Sequence, residues 1–76
     1  MPLTNALLEV RTRADAEHEL TRRVRAEYAE MPGLCLTLSQ AQRLWAVDRQ
    51  TCEAVFRALI AHGFLRMTTK GHFVRC

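Results

Sequence analysis

Apolar residues recur at helical spacing along most of this chain and switch to extended spacing near its end. Leu20, Val24, Tyr28 and Met31 stand at i, i+4, i+8 and i+11, which predicts a helix from about Ala16 to Glu30, ended by Pro32-Gly33. Thr37 precedes Gln40 by three positions, the spacing of a capping box, so a second helix is expected to start at about Leu38. Ala41, Leu44 and Trp45 form its apolar stripe, with Ser39, Gln40, Gln42 and Arg43 on the other face. Room remains for about two turns before Asp48. Asp48 is a good N-cap for a third helix, because its carboxylate accepts an amide hydrogen bond at the positive end of the helix dipole. Cys52, Val55, Phe56, Leu59 and Ile60 then mark the side of that helix expected to pack, and Arg49, Gln50, Glu53 and Arg57 the side left free. Gly63 supplies the left-handed position that ends it, and His62 sits in its last turn.

Beyond Gly63, the residues Phe64, Leu65, Met67, Phe73 and Val74 favour extended chain around the short loop Thr69-Lys70-Gly71. A hairpin is expected, lying on the helices through Leu65 and Phe73, since two strands alone are marginal in water. Leu34, Cys35 and Leu36 are suited to a short strand beside it. At the start of the chain Leu3, Leu7 and Val10 make a further helical stripe behind a possible Thr4 cap. The three-helix core does not need that stripe. It either caps the core or pairs with its copy in a second subunit, and the chain accordingly divides into an N-terminal segment, 1–15, and a domain, 16–76.

The predicted class is α+β, mainly α with a small β-hairpin. Helix, tight turn, helix, hairpin is the order of a winged helix-turn-helix, a three-helix core plus wing. The run Asp48-Arg49-Gln50-Thr51-Cys52, followed by Leu59 and Gly63-Phe64-Leu65, resembles the Ser-Arg-x-Thr-Val, Leu, Gly-aliphatic-aliphatic run of winged-helix bacterial regulators of the gluconate-repressor type. The similarity covers roughly half the chain and speaks to fold before function. It implies that Arg49, Gln50 and Thr51 sit where such regulators meet phosphates and base edges, with Arg57 farther along the same face and Lys70 at the wing tip. Ser39, Arg43, Glu53, Thr69 and His72 complete the expected DNA-facing set. The chain departs from the family pattern at Ala46, where the corner usually carries glycine, and at Glu53, where basic residues are common. Glu53 accepts a hydrogen bond from cytosine N4 or pairs with Arg49 or Arg57 one turn away.

Charge changes this picture by its placement. The net value is +3, yet residues 1–33 hold five basic and six acidic side chains while residues 34–76 hold six basic and two acidic, net −1 against +4. Positive charge thus belongs to the second and third helices and the hairpin, as expected of a surface that faces DNA. Arg22, Arg23 and Arg25 are interleaved with Glu19 and Glu27 and read as an exposed, salt-bridged face. All basic residues but Lys70 are arginine, a bias that fits a GC-rich genome.

No glycine-rich phosphate loop, nucleophile elbow or zinc spacing is present, and His18, His62 and His72 are scattered. No catalytic residue, metal or cofactor is expected. Three cysteines without a CxxC pair, no signal-peptide core and no apolar run of about 20 residues point to a reduced, cytoplasmic protein with no membrane contact, nucleoid-associated when on DNA. The expected partner is double-stranded DNA, read as a transcriptional regulator would read it, and a homodimer through Leu3, Leu7 and Val10 would match paired half-sites. A winged helix used for protein contact, or a small accessory subunit, is the alternative.

Overall fold

In a computed structural model, residues 12–76 are described, and they are mainly helical with a small antiparallel sheet. The Leu3, Leu7 and Val10 stripe and its dimer contact lie outside the described residues. Helix α1 runs Arg13–Glu30, α2 Leu38–Trp45 and α3 Arg49–Ala61; strands β1 (Cys35–Leu36), β2 (Leu65–Met67) and β3 (Phe73–Arg75) form a sheet in the order β1-β3-β2.

Local chemistry accounts for each boundary. Helix α1 starts three residues before the expected Ala16, because Thr12 Oγ1 accepts from the Asp15 amide at 3.1 Å while Asp15 Oδ2 accepts from the Thr12 amide at 3.3 Å. The helix ends at Glu30, so Met31, expected on its stripe, falls past the last turn and is exposed. Thr37 and Gln40 close the expected box on α2, at 3.2 and 2.9 Å. Helix α3 ends in a Schellman motif at Gly63 (φ 78°), with the Gly63 amide donating to the Ile60 carbonyl and the Phe64 amide to that of Leu59.

The turn from α2 to α3 carries strain. Ala46 adopts φ 54° and ψ 50°, the left-handed conformation that costs an L-residue about 1–2 kcal/mol, at the position where the resembled family carries glycine. Its side chain is exposed, so nothing packed is lost on removing it. Ala46→Gly should therefore stabilise the protein by roughly 0.5–1 kcal/mol, the relief of strain being partly offset by the freer unfolded chain. Urea denaturation measures it, and a lower midpoint would contradict the assigned backbone.

The helices and the sheet enclose one core: Leu20, Val24 and Tyr28 from α1, Ala41 and Trp45 from α2, Cys52, Val55, Phe56 and Leu59 from α3, and Leu65 and Phe73 from the sheet. The Phe56 ring meets Phe73 edge-on at 4.7 Å between centroids and Trp45 at 6.2 Å. Tyr28 places its hydroxyl inside, where it donates to the Phe73 carbonyl at 2.8 Å and ties α1 to β3; burial pushes its pKa up to about 12. Leu44 and Ile60, both expected in the core, are 53 % and 37 % exposed. Each lies one residue, about 100° of helix, from a better-seated side chain, Trp45 and Leu59 respectively.

The sheet extends the expected hairpin. Cys35 pairs with Val74 and Leu36 with Phe73, while Leu65, Arg66 and Met67 pair with Arg75, Val74 and Phe73. The Gly71 amide donates to the Thr68 carbonyl and the Thr68 amide to the His72 carbonyl, with Gly71 at φ 83°, so the loop needs glycine to close.

Candidate nucleic-acid interface

Helix α3 turns Thr51, Cys52, Val55, Phe56 and Leu59 inward. That leaves Arg49 and Gln50 exposed in its first turn, Glu53 half-buried one turn on, and Arg57 exposed beyond it. The Asp48 carboxylate holds the first turn: Oδ2 accepts from the Thr51 amide at 3.0 Å and Oδ1 from the Thr51 hydroxyl at 2.7 Å. These two bonds, the hydroxyl's first, keep the Asp48 carboxyl below its ordinary pKa.

The same geometry gives Thr51 a role in the cap. It is 5 % exposed and its hydroxyl donates its proton to Asp48, so it helps to hold the helix start. Glu53 takes the pairing alternative: Arg49 Nε donates to Glu53 Oε2 at 3.4 Å. With side chains 72 % and 41 % exposed, that pair contributes little to stability.

A groove of about 360 Å³ brings α3 and the hairpin together. Leu38, Phe56, Ile60, Met67 and Phe73 give it an apolar lining, and Glu53, Arg57 and Gly71 stand along it. Lys70 and Thr69, exposed at the loop tip, adjoin Gly71, and the half-buried His72 donates its amide to Thr68 Oγ1 at 3.1 Å. The outward side of α3 and the hairpin tip therefore flank one depression. Ser39 and Arg43 are exposed on α2, Ser39 next in the chain to Leu38, but neither lines that groove.

Two features were not readable from the sequence. The groove is lined by the exposed Ile60 and Met67, whereas periodicity alone places Ile60 in the core. Arg25, read as part of a salt-bridged face, instead lies over the Phe64 ring at 4.7 Å, as does Arg75 at the same distance. Such stacks join residues distant in the chain and leave no local signal.

Other chemistry is quiet among the described residues. Cys35, Cys52 and Cys76 are free, and burial pushes the Cys52 thiol up to about 11, which keeps it protonated in the core. No three or more of His, Cys, Asp and Glu gather closely enough to hold a metal ion, and no helix is long and apolar enough to cross a membrane. Compared with protein-family models, with characterised proteins and with solved structures, the chain matches none of them.

Proposed function

We propose that this chain is a winged-helix domain that binds duplex DNA, laying α3 in the major groove and the β2–β3 hairpin, as the wing, against the phosphate backbone. One observation carries the reading: Arg49, Gln50 and Arg57 are exposed along the outward side of α3, Lys70 is exposed at the hairpin tip, and one depression joins the two elements through Arg57 and Gly71, the neighbour of Lys70. An α-helix fits the major groove, where arginine and glutamine pair with guanine and adenine edges. The net +4 of residues 34–76 supplies the attraction to phosphate, and the resemblance of the Asp48–Leu65 run to winged-helix regulators agrees with it. A transcriptional regulator is the function this supports best.

Gel retardation on mixed genomic fragments tests it directly. Retention is expected at low salt and should fall steeply as salt rises, with a slope of about 0.9 per phosphate neutralised. Absence of retention at low salt would remove DNA as the partner. The proposal includes a homodimer formed through Leu3, Leu7 and Val10, so that two α3 helices address paired half-sites. Sedimentation of the full chain and of a chain lacking residues 1–12 should show a dimer and a monomer respectively. A monomeric full chain, or a dimer that survives the deletion, would end that part of it.

A further inference from the structure

The groove between α3 and the hairpin is more apolar than contact with DNA requires. Phe56 and Phe73 lie at its base, packed edge to face, while Ile60 and Met67 leave 37 % and 58 % of their surface in water along its sides. Of the two charged residues that line it, Glu53 is engaged by Arg49 at 3.4 Å. Arg57 has no carboxylate partner among the described residues. The depression thus offers an apolar bed and one unengaged guanidinium at its edge.

Size decides what class of ligand suits it. A cavity of about 360 Å³ falls in the range of small-molecule pockets, which begins at about 300 Å³ and combines apolar walls with a few oriented polar groups. A stable protein partner would cover about 800 Å² on this side, far more than a depression of this kind presents. We propose that the groove binds a small amphipathic acid, its apolar chain lying between Ile60 and Met67 over Phe56 and Phe73 and its carboxylate held by Arg57.

Because Arg57 also stands on the face proposed to meet DNA, such an acid and DNA would exclude each other. This consequence rests on the DNA reading; the acid site does not. A carboxylate on Arg57 neutralises one of the few cations on that face and adds a ligand where the helix would approach the bases.

Calorimetric titration with decanoate at submicellar concentration tests the site, with decylammonium as the probe of equal apolar body and opposite head group. Trp45, the only tryptophan, lies 6.2 Å from the Phe56 ring and gives an independent fluorescence signal. Saturable decanoate binding is expected, about tenfold weaker in Arg57→Gln, as the loss of one charge-assisted hydrogen bond implies. Met67→Glu, at an exposed position, should abolish it. Decylammonium binding as tight as decanoate, an unchanged affinity in either variant, or no saturable binding would each overturn the proposal. In gel retardation, decanoate should release DNA from the parent protein; a complex holding both ligands would overturn the exclusion. Decanoate binding by a protein that retains no DNA would leave the acid site standing and remove the DNA reading.

Discussion

Phe56→Ala should lose about 3–5 kcal/mol of stability, the range for truncating a buried phenylalanine. Phe56 is 1 % exposed, and its ring is the piece that α2, α3 and the sheet share, through Trp45 at 6.2 Å and Phe73 at 4.7 Å. The loss has two parts, the transfer of the ring to water and the void left when three elements cannot close around alanine. A domain of this size has a small core and a total stability on the order of 5–15 kcal/mol, so the loss takes a large share of it and should lower the denaturation midpoint strongly. Ile60→Ala is the control from the same helix. Ile60 is 37 % exposed and should cost well under half as much, although it shares the apolar stripe. Chemical denaturation followed by circular dichroism separates the two. A Phe56→Ala protein that melts like the parent would show that the core has been assigned to the wrong residues.

That contrast marks how far the sequence could be read. Thr37 with Gln40, Asp48 and Gly63 were legible because each acts on backbone within a few residues, and each boundary they predict is present. The hairpin loop was legible for the same reason, through Gly71. Thr12 with Asp15 is the same reciprocal cap with aspartate in place of glutamate or glutamine, so the start of α1 was set too late. Burial was legible only as a direction around each helix. How wide the buried arc is depends on the neighbour, and Leu44 and Ile60 fall just outside it.

The candidate site was legible as a set of polar positions on α3 and at the loop, and less so in its chemistry. Thr51 entered the expected set through the family resemblance alone, and the structure shows its hydroxyl donating to Asp48 in the cap. The apolar groove beside Arg57 depends on how the hairpin leans on α3, which no local pattern encodes. The short strand expected beside the hairpin is present as β1 on β3, whereas the stacking of Arg25 and Arg75 on Phe64 arises only when the chain closes on itself.

If the proposed DNA reading holds, Arg49 and Lys70 should fail in different ways. Arg49 and Gln50 occupy the first turn of α3, the part of such a helix that reaches base edges, so Arg49→Ala or Gln50→Ala should cost about 1–3 kcal/mol in binding and relax sequence preference. Arg49→Ala should be the worse of the two, because it also releases the Glu53 carboxylate, now held at 3.4 Å, to face the DNA unpaired. Glu53→Gln should act in the opposite sense and strengthen binding to all sequences. Lys70 stands exposed at a loop tip, where it can follow a phosphate but has no fixed geometry for a base. Its replacement by alanine should weaken every sequence alike and lower the salt slope by about one counterion. Competition binding on a randomised duplex library, repeated at two salt concentrations, measures preference and slope together. Should Arg49→Ala and Lys70→Ala both leave retention at low salt unchanged, DNA is not the partner of this face, and contact with a protein becomes the reading to pursue.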